Sequence, residues 1–170
     1  VFRPSMASHE NIADRERLVN SYKNAIRWSV DYFFETLLAE IDLSNGVLIY
    51  TSDHGQNLLD DGKPATHCRR SGVNQYEAIV PLLVWTGNAI LWEKFYRAAE
   101  VNFNKASHFE IFPSILQLFG YDPLEIAKQY HHGLFETIEE PLGFTSGPIT
   151  GRFGRQVEWH PRENPERLHR

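Results

Sequence analysis

The chain has 170 residues, a length that indicates one domain with a substantial core. Hydrophobic residues make up 42% and aromatic residues 13%, a composition that excludes an intrinsically disordered chain. The net charge is -5 without a basic stripe, so we expect no nucleic-acid partner, and the single cysteine excludes an internal disulfide.

The first element that the pattern predicts is a long helix over about residues 13–41. Asp14 and Glu16 place negative charge near its start, where the helix dipole favours it. The turn residues of the segment 42–46 end it. Its inward stripe recurs at steps of three and four and comprises Leu18, Tyr22, Ala25, Ile26, Ser29, Val30, Phe33, Leu37 and Ile41.

Two short apolar runs predict strands that are buried on both faces, as in a parallel sheet flanked by helices. The first covers 47–51, and the second covers 78–86 with Pro81 near its start or at an edge. A long polar loop over 53–76 joins them. No apolar run reaches the roughly 18 residues that a membrane helix needs.

Two further helices are predicted over 90–101 and 108–118. Ser107 caps the second, with Glu110 three residues later as in a capping box, and Gly120 stops it. The order helix, strand, loop, strand, helix, helix predicts a layered α/β fold.

The C-terminal part of the chain carries weaker signals. A short helix is expected after Pro123, and residues 152–159 predict a hairpin. The charged, proline-interrupted residues 160–170 predict a mobile tail. We therefore expect a main domain over residues 1–148 and a hairpin with a mobile charged tail over 149–170.

Asp53 and His54 carry the strongest chemical signal, because they follow the first predicted strand directly. Ligands of open α/β sheets bind at the carboxyl ends of strands, and carboxylate and imidazole groups suit zinc or manganese. The pair would serve two metals, or one metal and its surrounding shell. Gly55 lets the backbone turn away, and His67 lies on a loop long enough to return to this spot. The alternative is an ordinary turn with a capping aspartate.

Several segments resemble one family in the same order along the chain. Tyr50-Thr-Ser-Asp53-His54-Gly55 resembles the Ser-Asp-His-Gly motif of the sulfatase and alkaline-phosphatase superfamily, and is most similar to bacterial membrane-anchored phosphoethanolamine transferases. Met6-Ala7-Ser8-His9 resembles the family's Gly-Ser-His segment, and the segment 107–116, SHFEIFPSIL, resembles a family helix. The resemblance covers about residues 6–121.

This resemblance implies a fold and a set of site residues. The chain would be the C-terminal half of an alkaline-phosphatase-like α/β/α sandwich, with a mostly parallel sheet flanked by helices. Asp53 and His54 match metal ligands of the principal site, with zinc expected and manganese as the alternative. His67 and His9 match histidines that bind substrate phosphate or a second metal.

The chain also departs from the family pattern. The family's nucleophilic threonine lies well upstream of the segment that His9 ends, so we expect no catalytic nucleophile here and no turnover by the chain alone. A metal-binding glutamate or aspartate of the family lies upstream as well, so we expect weak or no metal binding, because two ligands rarely hold zinc tightly. We also expect a sheet edge covered by the missing N-terminal half of the domain or by a homodimer mate. Cys68 replaces the usual glycine after His67 and is a soft ligand or an unreactive thiol.

The resemblance implies part of a metal-dependent transferase. It would move phosphoethanolamine, or a related phospho-alcohol, from a phospholipid donor to an envelope lipid or glycan. The parent protein would lie in the inner membrane with its catalytic domain in the periplasm. One alternative is a sulfatase or phosphodiesterase-type hydrolase with the same metal chemistry, and another is a non-catalytic, degenerate sulfatase-like binding module.

Overall fold

The computed structural model describes residues 1–3, 5, 14–63, 73–139, 143–146 and 157–161. The chain divides into two compact units. One comprises Val1–Leu43 with Ile49–Leu83, and the other comprises Ser44–Leu48 with Val84–Arg170. The expected boundary between residues 148 and 149 stays a prediction.

The long predicted helix is present in three pieces. Helix α1 covers Arg15–Ile26, a π-helical segment covers Arg27–Asp31, and helix α2 covers Tyr32–Glu40. Asp14 is the N-cap residue, and its Oδ1 accepts a hydrogen bond from the Arg17 amide at 3.2 Å. The sequence therefore predicted the extent of the helix but not its interruption.

The π-helical segment changes which face of helix α2 is buried. In its last turn, the Tyr32 amide donates a hydrogen bond to the Arg27 carbonyl, five residues earlier, as in a π-helix. One extra residue in a turn rotates everything after it by about 100°. Phe34 is consequently buried at 9% exposure and packs edge-on against Tyr50, with ring centroids 5.0 Å apart. The prediction that Phe33 faces inward is wrong, because that residue is 54% exposed. The predicted stripe is also wrong at four earlier positions that are exposed, namely Tyr22, Ala25, Ile26 and Ser29.

The two predicted strands are present, but each is shorter than expected. Strand β1 covers Leu48–Thr51 and strand β2 covers Leu82–Trp85, and they form a two-stranded sheet. Pro81 directly precedes β2, as predicted. All four residues of β1 are partly exposed, so burial on both faces is not observed. The single strand neighbour of β1 in the described ranges is β2, which leaves its other edge without a paired strand there.

The second unit contains the remaining helices. Helix α3 covers Ala89–Asn102, a 3-10 turn covers His108–Glu110, helix α4 covers Ile111–Leu118 and helix α5 covers Pro123–Ala127. The predicted capping box is confirmed, since the Ser107 hydroxyl accepts from the Phe109 amide while the Glu110 carboxylate accepts from the Ser107 amide. Gly120, at φ +88°, follows the last helical turn, as predicted.

Buried polar side chains fix the segment after helix α5. The Asn102 amide donates to the Leu134 and Glu136 carbonyls at 2.9 and 2.7 Å and accepts from the Ile138 amide at 3.0 Å. The Ser114 hydroxyl, fully buried, accepts from the Leu134 amide at 2.7 Å. These bonds satisfy buried backbone groups, so they hold residues 134–138 against helices α3 and α4.

The last two strands form an antiparallel pair. Strand β3 covers Gly143–Ser146 and strand β4 covers Glu158–Pro161, with Thr145 opposite Trp159. Trp159 therefore pairs with a residue that lies before the hairpin predicted over residues 152–159. Most of that predicted hairpin lies outside the described residues. Helices together with small sheets make this a mixed α/β structure, which confirms the predicted class and is consistent with a partial sulfatase-type fold.

Candidate metal-binding site

Asp53 and His54 lie just beyond the carboxyl end of strand β1, which is the position that the sequence predicts. The strand ends at Thr51, and the next residues leave the sheet. The Asp53 side chain is 87% exposed and the His54 side chain is 40% exposed, so both are accessible to a ligand. Part of the Asp53 carboxylate is engaged locally, since its Oδ1 accepts from the His54 amide at 3.0 Å. This bond joins neighbouring residues, whereas a capping aspartate bonds an amide two or three residues further on, so the capping turn of the alternative interpretation is not observed at Asp53.

The His54 ring has a defined orientation and tautomer. Its Nδ1 lies 2.7 Å from the Gly55 carbonyl oxygen, which only accepts hydrogen bonds. Nδ1 therefore carries the hydrogen and donates it, and Nε2 presents its lone pair in the neutral ring. Histidines that bind metals in proteins characteristically donate their other ring nitrogen to a carbonyl or carboxylate in this way.

Asp53 and His54 also face each other. Asp53 Oδ2 lies 3.7 Å from His54 Nε2. Two ligand atoms on one zinc ion, each about 2.1 Å from it, are about 3.4 Å apart in a tetrahedral shell and never more than about 4.2 Å apart. The observed separation therefore allows one ion to bridge both atoms after a shift of about 0.3 Å.

Gly55 holds this arrangement in place. Its amide donates to the Glu77 carbonyl at 2.9 Å. A Cβ atom at this position would lie 2.1 Å from the Tyr76 carbonyl oxygen and 2.7 Å from the Ile79 carbonyl oxygen. Both obstacles are backbone atoms, so no side-chain movement could relieve the overlap. Glycine is therefore required by close backbone approach.

The turn that receives Gly55 was not predicted from the sequence. Residues 75–77 form a 3-10 turn inside the stretch that was predicted to be one polar loop. Asn74 caps it and Glu77 completes a capping box, with its Oε1 accepting from the Asn74 amide at 3.3 Å. The signal was present in the sequence as Asn74-Gln-Tyr-Glu77, the pattern of a capping residue followed three positions later by glutamate.

The loop after Gly55 is anchored by a second polar group. Asn57 is fully buried, and its side chain donates to Asp61 Oδ1 at 3.1 Å and accepts from the Asp60 amide at 3.0 Å. Asp60 Oδ1 in turn pairs with Arg15 Nη2 of helix α1 at 2.7 Å. These contacts hold the loop against the helix.

Asp60 has a perturbed carboxyl group. Partial burial raises the pKa of Asp60. Two contacts lower the pKa by a larger amount, namely the hydrogen bond from the Leu58 amide to Oδ2 and the nearby Arg15 guanidinium. The pKa of Asp60 therefore lies below its ordinary value of 3.8. A carboxyl group that is more acidic when folded stabilises the fold above its unfolded pKa and loses that contribution as the pH falls.

The other predicted site residues cannot be placed relative to this pair. His9, His67 and Cys68 lie outside the described residues. In the described part of the chain, no group of three or more His, Cys, Asp or Glu side chains is arranged to hold a metal. Asp53 and His54 would therefore supply two ligands of a metal site, which would need at least one more ligand from the protein.

Comparison with known families agrees with the site's motif. A family model described as Sulfatase matches residues 2–121, more than half of the chain. The chain therefore belongs to the sulfatase family. No curated protein and no solved structure matches it.

Substituting Gly55 should destabilise this part of the structure more than substituting another glycine. In Gly55→Ala, the new methyl group collides with two backbone carbonyls, so we expect a loss well above that of Gly62→Ala. Gly62 has φ +71° and open space around it, so its substitution should cost only about 1–2 kcal/mol of backbone strain. Urea unfolding of both variants measures the difference. Equal losses would mean that the Gly55 contact with residues 76–79 is not tight.

Removing Arg15 should raise the pKa of Asp60 partway toward 3.8, because the Leu58 amide remains as a donor. In Arg15→Gln, stability should fall above about pH 4, and the difference from the parent should shrink below it as Asp60 protonates. NMR titration of the Asp60 carboxyl carbon and acid unfolding measure both effects. Arg17→Gln is the matched control on the same helix, and an identical pKa of Asp60 in the parent and both variants would contradict the contact.

Proposed function

We propose that this chain is part of a metal-dependent transferase that moves phosphoethanolamine, or a related phospho-alcohol, from a phospholipid donor to an envelope lipid or glycan. The observation that carries the proposal is the pairing of Asp53 Oδ2 with His54 Nε2 at 3.7 Å, within the segment that the sulfatase family model matches. Family membership supports chemistry on phosphate or sulfate esters. The motif resemblance described above supports the choice of transferase.

The charges at the site support a cation as its occupant. With Nδ1 donating to the Gly55 carbonyl, the neutral His54 ring presents a lone pair toward a carboxylate oxygen. A divalent cation placed at this pair would accept a lone pair from each of the two groups. Zinc is the metal that best suits one carboxylate and one imidazole, with manganese as the alternative.

The residues of this chain would contribute binding and orientation. A metal held by Asp53 and His54 would supply positive charge that neutralises phosphate oxygens and activates a hydroxyl nucleophile. Gly55 fixes the ring through its carbonyl, so the ligand atom is oriented before the ion binds. His67 and His9 remain our candidates for contacts with substrate phosphate or a second metal. The nucleophile is proposed to come from outside this chain.

The partners and the location of the parent protein belong to the same proposal. Strand β1 leaves one edge without a paired strand in the described ranges, which suits the N-terminal half of the domain or a homodimer mate. In the ranges that the structure describes, no helix is long and apolar enough to cross a membrane. An inner-membrane parent with a periplasmic catalytic domain follows from the proposed lipid substrates.

A hydrolase is the second candidate, because the family model that matches the chain is described as Sulfatase. The metal-binding residues would be the same in both enzymes. The two functions differ in what accepts the transferred group, a hydroxyl of a lipid or glycan in one case and water in the other.

Metal binding should depend on both members of the pair. In isothermal zinc titrations of the protein made from the complete coding sequence, Asp53→Asn and His54→Ala should each weaken binding at least about tenfold, because each removes one ligand. His132→Ala is the matched control, since it removes an exposed histidine of the other unit. Uptake that is equal in the parent and in both site variants would show that the assigned ligands are wrong.

Activity should be tested in the protein made from the complete coding sequence. We expect mass spectrometry to detect phosphoethanolamine added to envelope lipids or glycans, and Asp53→Asn to reduce the product roughly a hundredfold or more. Glu100→Gln, an exposed change on helix α3, should leave it unchanged. Release of nitrophenol from 4-nitrophenyl sulfate without any lipid modification would favour the hydrolase and contradict the transferase.

A further inference from the structure

An open surface cavity, lined by exposed residues, lies beside the start of the π-helical segment and shares no residue with the Asp53–His54 pair. Its volume is about 490 Å³, which lies in the range of small-molecule pockets. The residues around it combine aromatic and aliphatic side chains with three charges. They are Phe2, Tyr22, Lys23, Ile26, Arg27 and Asp31.

One wall of the cavity is built by a specific contact. The Asn24 side chain binds the backbone of Phe2 twice, accepting from its amide at 2.7 Å and donating to its carbonyl at 3.0 Å. This pair of bonds fixes residue 2 on the surface of helix α1. The Lys23 ammonium group lies 5.4 Å from the centroid of the Phe2 ring, within cation–π distance. The apolar wall and one positive charge are therefore held together.

The charged side chains around the cavity form no ion pair with one another in the part of the chain that the structure describes. In the ranges that the structure describes, Lys23, Arg27 and Asp31 take part in no ion pair. They are spaced four residues apart, and oppositely charged residues at this spacing commonly pair along an α-helix. Arg27 and Asp31 are instead the two ends of the π-helical segment. The cavity thus has a net charge of one positive unit, two cations and one anion.

We propose that this cavity binds an amphipathic monoanion. Its apolar body would pack among Phe2, Tyr22 and Ile26, and its anionic group would lie at Lys23 and Arg27. The group would be a carboxylate or a phosphodiester, because the net charge of the cavity matches one negative charge. Asp31 disfavours a dianion such as a phosphate monoester by repulsion between like charges. Nothing in this assignment requires the metal-binding pair.

Calorimetric titration with three short amphiphiles below their aggregation concentrations tests the proposal. The probes are decanoate, dihexanoyl phosphatidylglycerol and decyl phosphate. We expect the two monoanions to bind more tightly than the dianion. Lys23→Gln and Arg27→Gln should each weaken monoanion binding roughly twofold to fivefold, and the double variant should weaken it further. Lys105→Gln is the control, because Lys105 does not line the cavity.

Asp31→Asn provides the complementary test. It should increase the affinity for decyl phosphate and so reduce the difference in affinity between decyl phosphate and decanoate. Tighter binding of decanoate than of the phosphodiester would assign the natural ligand to fatty carboxylates, and the reverse would assign it to lipid headgroups. Both results support a monoanion site. Binding that is unchanged in the double variant, or a neutral decyl glucoside that binds as tightly as decanoate, would overturn it. The double variant should take up zinc to the same extent as the parent, so failure here is distinguishable from failure of the metal site.

Discussion

The Gly55 amide donates to the Glu77 carbonyl across a gap that admits no side chain at position 55. This contact joins the end of strand β1 to the short turn at Gln75–Glu77, a distance of about twenty residues along the chain. The orientation of the His54 ring depends on it, because the Gly55 carbonyl is the group that receives the Nδ1 hydrogen. The geometry of the candidate metal site is therefore set by backbone packing rather than by the ligands alone.

The same arrangement relates sequence to chemistry. An imidazole whose tautomer is fixed by a carbonyl presents one defined lone pair, and an adjacent carboxylate supplies the opposite charge for a cation. Asp53 and His54 provide these two groups on accessible side chains. A catalytic zinc shell typically takes three ligands from the protein, so these two groups alone would leave such a shell incomplete. Membership of the sulfatase family and an incomplete shell together support a site that further residues must complete.

Local signals in the sequence predicted what depends on neighbouring residues. Ser107 and Glu110 form the expected capping box, and strand β1 ends just before Asp53, because these features follow from residues a few positions apart. The inward face of helix α2 could not be predicted in this way. An extra residue in the π-helical turn leaves no mark on a periodic pattern, and beyond it Phe33 is exposed and Phe34 is buried. Tyr22 and Ile26, which precede the turn, are exposed for lack of a packing partner in the described ranges, which periodicity does not reveal either. The contact between Gly55 and the turn at residues 76–79 is tertiary and was equally inaccessible to pattern analysis.

The protonation site of the His54 ring is the most direct test of this account. Long-range proton–nitrogen NMR spectra of histidine-labelled protein, assigned with His54→Gln, identify which ring nitrogen carries the hydrogen. The structure predicts hydrogen on Nδ1, and a shift of the Nε2 signal when zinc is added. A ring that carries its hydrogen on Nε2, and whose signals do not change with zinc, would contradict the proposed metal-binding geometry.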